Sequence, residues 1–221
     1  MKKTITLLTI ILLLVSTLFS GCGNNAETDF ANIYVQGILD TIYLGQQSEN
    51  FLDITKIDML SQLSDEYENG MKAEANYFSY YFNLDSASTA FENELIDMYK
   101  DIYQYAKYQV QASSQIEDTY YVDVVVSPID VVYKVVEEDL AGYMESFQSS
   151  AENGNFDELT EEEYNNLYVS GIIELVQGHM QNLGYYEDQT ITVEVITDIE
   201  DGLYYIRGNG LAEIDEVMIK Y

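Results

Sequence analysis

The chain has 221 residues, with 9 Lys plus Arg against 39 Asp plus Glu and a formal charge of −30 at pH 7. So acidic a composition argues against nucleic acid as a partner, because phosphate binding needs a basic surface. A single Cys and a single His argue against a disulfide framework and a His/Cys zinc site, while 47% apolar and 13% aromatic residues supply a folded core.

Residues 1–22 read MKKTITLLTIILLLVSTLFSGC. Lys2 and Lys3 form a positive start, Ile5 to Val15 is an apolar stretch broken only by Thr6 and Thr9, and small residues follow. This is the pattern of a secretory signal, too short for a membrane span. Leu18-Phe19-Ser20-Gly21-Cys22 resembles the lipobox of bacterial lipoproteins, although Phe19 is less usual there than Leu. The resemblance implies that residues 1–21 are cut off and that the Cys22 thiol carries a diacylglycerol. Two acyl chains give stable anchoring, so the membrane is the first expected partner, at the outer face of the bacterial cell membrane. The blander alternatives are an uncleaved anchor or a secreted protein with a stray Cys. Loss of Lys2 and Lys3 leaves seven basic residues and a charge of −32. Residues 22–28 are a lipidated tether whose polar part reaches about 20 Å when extended.

Beyond the tether, periodicity predicts helices and strands in turn. Tyr34, Val35, Ile38 and Ile42 mark a helix over about 28–44, with Gly45 as its C-cap. Thr55 is read as the start of the next, with Ile57, Leu60, Leu63 and Tyr67 inward and Gly70 at its end. A separate helix over 71–83 carries Met71, Ala75, Phe78 and Phe82. Ser86 or Ser88 caps another, with Phe91, Leu95, Met98, Ile102 and Tyr105. Strands are expected over 107–115 and 119–127. After Pro128, the residues Val132, Val136, Leu140, Tyr143 and Phe147 make a helical stripe. Thr160 and Glu163 form a capping box for a helix running to Leu183. Strands over 190–198 and 202–207 turn at Asp201-Gly202, and Leu211, Ile214, Val217 and Met218 suggest a final helix.

Two short echoes connect the halves. Ile116-Glu117-Asp118 before Tyr120-Tyr121 matches Ile199-Glu200-Asp201 before Tyr204-Tyr205, and Ser48 to Thr55 matches Glu152 to Thr160. They predict a tandem duplication into an α+β fold of two helix-plus-antiparallel-sheet modules, 29–127 and 128–221. In this the chain resembles uncharacterised lipoproteins of Gram-positive bacteria with tandem domains similar to the NTF2-like and cystatin-like superfamilies. The resemblance implies no catalytic residues, and such a fold does not fix a function.

The candidate chemistry is sparse. Glu137-Glu138-Asp139, Glu161-Glu162-Glu163 and Glu213/Asp215/Glu216 lack the alternating oxygens, central Gly and closing Glu of a calcium loop, so they read as solvated faces and no metal is expected. His179 lies on an apolar stripe with no nucleophile to serve, and reads as a packed, hydrogen-bonded residue. Arg207, the sole Arg, and neighbouring Tyr205 are the candidate ligand-binding residues; the plainer reading of Arg207 is an ion pair with a nearby carboxylate. With no catalytic constellation and no cofactor motif, the expectation is a non-enzymatic protein that binds a ligand or partner at the cell surface. The alternative is a surface-tethered hydrolase using carboxylates in an NTF2-like cavity. A cleft with two facing carboxyls, one desolvated, favours the hydrolase; an exposed aromatic groove favours binding.

Overall fold

Apolar residues at alternate positions of one strand set the centre of the structure. The computed structural model describes residues 25–55, 60–84, 89–198 and 202–221. The leader with Cys22, Ile57, Ser86, Ser88 and the Ile199-Glu200-Asp201 turn lie outside the described residues. Tyr120, Val122, Val124 and Val126 are buried along β3 (Thr119–Ser127). On one side β3 pairs with β1 (Lys107–Val110) and β2 (Ser114–Ile116); on the other it pairs with β4 (Gln189–Thr197), which pairs with β5 (Tyr204–Arg207). All pairings are antiparallel. The strand expected over 107–115 is broken in two. Val110 faces Val124 and the Gln111 N–H donates to the Asp123 carbonyl at 2.8 Å, but Ser114 faces Tyr121. Ala112 and Ser113 therefore stand opposite Val122 alone, which is a β-bulge.

Helices cover the face of the sheet that carries Tyr120, Val122, Val124, Val193 and Val195. In chain order the described helices are α1 (Asn25–Leu39), α2 (Glu49–Thr55), α3 (Leu60–Tyr81), α4 (Thr89–Tyr103), α5 (Val131–Lys134), α6 (Leu140–Glu152), α7 (Glu161–His179) and α8 (Gly210–Met218), and of these α1 and α8 lie against the strands. α1 runs on into a π-helical turn, Asp40–Leu44, and closes at Gly45, whose φ of 63° suits a residue without Cβ. A second π-helical turn, Val135–Asp139, joins α5 to α6. The Thr160–Glu163 capping box forms as expected: Thr160 Oγ1 accepts from the Glu163 N–H at 3.2 Å, and the Thr160 N–H donates to Glu163 Oε2 at 2.8 Å.

Three local expectations change. Gly70 does not end a helix, because α3 continues from Leu60 to Tyr81. Leu63, Tyr67, Met71, Ala75, Phe78 and Phe82 form one stripe at helical spacing, and its burial outweighs the roughly 1 kcal/mol that a mid-helix Gly costs. Thr55 opens no helix, because it already lies inside α2, Glu49–Thr55. Ser48 Oγ accepts from the Phe51 N–H at 3.2 Å, and the Thr55 hydroxyl donates back to the Phe51 carbonyl at 2.8 Å. The two segments that echo each other also differ. Glu49–Thr55 is helix, whereas the chain after Glu152 leaves the helix through Gly154 at φ 77°.

The two halves share one sheet and one core. β3 and β4 pair over eight positions, from Thr119↔Ile196 to Val126↔Gln189. The buried cluster runs from Ala31 and Val35 through Val122 and Val193 to Ile214 and Met218. The two expected modules thus meet strand to strand, because each hairpin alone would leave an unpaired edge beside apolar residues. Their junction is stitched, not a linker. Ile129 is fully buried, its N–H donates to the Met218 carbonyl at 2.9 Å, and its carbonyl accepts from the Lys220 N–H at 2.8 Å.

Candidate functional site

A cavity of about 550 Å³ opens where α3, α4 and α8 meet the first π-helical turn. That volume lies in the range of small-molecule sites. The stripe that buries α3 leaves the next face of the helix, with Gly70, Ala73, Glu74 and Tyr77, lining this space. The π-helical turn contributes Ile42 and Tyr43, α4 ends on Tyr103, and α8 brings Asp215 and Glu216. An inserted residue in a helix re-aims the side chains around it, and such turns recur at functional sites.

The floor is aromatic and buried. Tyr43 and Tyr103 are buried, with ring centroids 5.0 Å apart. At the other side Tyr77, half exposed, meets Tyr221 edge to face at 4.9 Å, and the Tyr221 hydroxyl is hydrogen-bonded to that of buried Tyr99. Burial pushes the Tyr43, Tyr99, Tyr103 and Tyr221 phenols above their ordinary range, so they stay protonated donors at neutral pH.

Two carboxyls face this tyrosine lining. The Tyr103 hydroxyl donates to Glu74 Oε1, and the Tyr43 hydroxyl donates to Asp215 Oδ1 at 3.3 Å. Burial raises the Glu74 carboxyl to about 7, against the lowering by the Tyr103 hydrogen bond, and the Asp215 charge adds to the rise. Asp215 stands at the mouth with its side chain open to water, yet the surrounding protein raises its carboxyl as well. Glu74 and Asp215 thus share one cavity with Glu216, and Glu74 keeps its proton well above the usual carboxylate range. Among the described residues, no group of three or more His, Cys, Asp or Glu side chains is placed to hold a metal ion.

Arg207 and Tyr205 are not in this cavity. Both lie on β5, on the sheet face turned away from the helices. Arg207 Nε donates to Glu194 Oε2 at 2.8 Å and its Nη2 donates to Thr119 Oγ1 at 3.0 Å. This is the ion pair that the plainer reading expects. His179 is partly buried at the end of α7, 2.5 Å from Asp139 Oδ2. A second, more open concavity between α6 and α7 is lined by Met144, Phe147, Tyr164 and Tyr168. Sequence reasoning missed Glu74 altogether and read Asp215 as part of a solvated run. Nothing in the spacing separates these two from the other acids; the usable signal was the position of Glu74 beside the Met71–Ala75–Phe78 stripe.

Neither a family model nor a curated protein matches the chain. Among solved structures, it is similar to a Bacillus subtilis crystal structure described as a "putative lipoprotein (ycdA)". The TM-score is 0.60 at 15% sequence identity, over 87% of this chain and 56% of that one. The chain thus spans little more than half the length of this neighbour, and at that identity the likeness is one of fold: an α+β architecture on an antiparallel sheet.

Proposed function

We propose that the protein is a lipid-anchored, extracytoplasmic lipoprotein that binds a small-molecule ligand in the cavity between α3, α4 and α8. The observation that carries the binding role is the pairing of desolvated Glu74 with Asp215 in a tyrosine-lined space of about 550 Å³. A folded chain has no structural need to keep these carboxyls beside an open cavity, and desolvating Glu74 costs stability. Anchoring is supported by the Leu18–Cys22 pattern and by the description of the Bacillus subtilis neighbour. The antiparallel sheet with one helix-covered face supports kinship with the NTF2-like and cystatin-like superfamilies. The internal echoes support duplication of 29–127 and 128–221.

A second reading is favoured by the same acids. Glu74 holds a proton near neutral pH, as a general acid must, and Asp215 is a carboxylate in the same space, so a surface-tethered hydrolase is the alternative. Two measurements test these readings. Cys22→Ser should abolish acylation and leave the protein uncleaved or released from membranes; a processed, membrane-held variant overturns the anchoring. Release of product from glycoside or ester substrates, lost in Glu74→Gln, would replace binding by hydrolysis.

A further inference from the structure

We infer that the ligand of this cavity is a small organic cation, an ammonium group on a compact alkyl body. The inference rests on the binding role proposed above and adds the chemistry of the ligand.

Charge pairing carries the argument. Glu74, Asp215 and Glu216 line the cavity, and among the described residues that line it none is basic. The cations described in the structure are engaged elsewhere. Lys72 pairs with Glu92 at 2.9 Å, Lys100 with Glu68 at 2.8 Å, Lys134 with Asp130 at 2.9 Å and Arg207 with Glu194 at 2.8 Å. Lys107 sits 4.9 Å from the centre of the Tyr185 ring, and Lys220 lies over Tyr133 and Tyr186. Glu74 and Asp215 each accept a tyrosine hydroxyl, a neutral donor, so the charge of Asp215 and Glu216, and that of Glu74 once its proton leaves, has no counter-ion among these groups. An anionic ligand would add repulsion, and a neutral one would leave that charge uncompensated in a partly dry space. A cation supplies the missing partner.

The lining also suits such a ligand. Rings of Tyr43, Tyr77, Tyr103 and Tyr221 surround the space, and aromatic rings attract ammonium groups most strongly where water is excluded. Ile42 offers apolar contact to an alkyl body. The groups facing Glu74 are Tyr103 and Tyr99 from α4, Tyr43 from the π-helical turn, Asp215 and Glu216 from α8, Tyr77 from α3 itself and Tyr221 from the tail. None of these becomes positive at any pH. A bound cation therefore favours the ionised form of Glu74, and binding near pH 6.5 releases a proton.

The test compares choline with its uncharged carbon analogue, in which tert-butyl replaces trimethylammonium, on the full-length protein in a neutral glucoside detergent. Calorimetry in buffers of different ionisation enthalpy reads both affinity and proton release. The expected result is at least tenfold tighter binding of choline, proton release at pH 6.5, and loss of both in Glu74→Gln. Equal binding of the uncharged analogue, abolished by Tyr77→Ala, overturns the cation and leaves the binding role standing. If neither compound, nor a set of neutral and anionic fragments, perturbs the tyrosine resonances of the cavity, the binding role itself falls. The comparison on the unaltered protein decides the matter even if the variants fold poorly.

Discussion

The Tyr43 hydroxyl donates to Asp215 at 3.3 Å, across a sequence separation of 172 residues. This contact joins the π-helical turn after α1 to the last helix, and it fixes one wall of the cavity. Beside it, where Tyr103 donates to Glu74, burial raises the carboxyl to about 7. The acidic site is therefore part of the tertiary frame and is tied to its stability.

That tie gives a pH prediction. The Glu74 carboxyl is raised from an ordinary 4.5 to about 7 in the folded state. Folding therefore takes up a proton between these values, and stability falls as pH rises through this window. The contribution is fully present below about 4.5 and lost above 7, a loss of up to about 3 kcal/mol. Glu74→Gln should flatten this part of the curve and melt higher than the parent at pH 8. Thermal melts from pH 4 to 8 measure the difference; parallel curves for the two proteins would show that Glu74 is ordinary.

Two glycines should respond in opposite directions. Gly70 lies in mid-α3 with open space where a methyl group would stand, so Gly70→Ala should stabilise by about 1 kcal/mol. A methyl group at Gly37 would lie 2.2 Å from the Phe51 ring, so Gly37→Ala must push α2 off α1 and should cost about 1–3 kcal/mol. Urea denaturation separates the two cases.

Arg207→Ala should change little. Its partner Glu194 lies on the sheet's open face, and exposed pairs are screened by salt. The melting temperature should drop slightly in dilute buffer and match the parent at high salt, with choline affinity unchanged. A marked fall in ligand affinity would return Arg207 and Tyr205 to the binding site.

Much of the fold is legible in the sequence where burial follows a simple period. The alternation at Tyr120, Val122, Val124 and Val126 marks β3, and Thr160 with Glu163 marks the start of α7. Gly70 misled because local propensity points one way and the long apolar stripe of α3 the other, and packing decided; Thr55 misled because its hydroxyl bonds back to the Phe51 carbonyl within α2. The bulge at Ala112-Ser113 and the two π-helical turns leave no periodic trace, since each is one residue out of step. The cavity was not legible for a different reason. Its walls come from residues 42–43, 70–77, 103 and 215–221, and a carboxyl becomes unusual only when distant segments take its water away.

The bulge beside β3 has a consequence for how these molecules coexist at close quarters. Sheets grow by adding strands to straight, unpaired edges. Here one edge is interrupted at Ala112-Ser113 and begins at Lys107, a charged residue, while the other is β5, only four residues long and ending in Arg207. Neither edge offers a neighbouring chain more than a short run of hydrogen-bonding groups. Short, interrupted edges of this kind disfavour the zipping of crowded copies into a shared sheet.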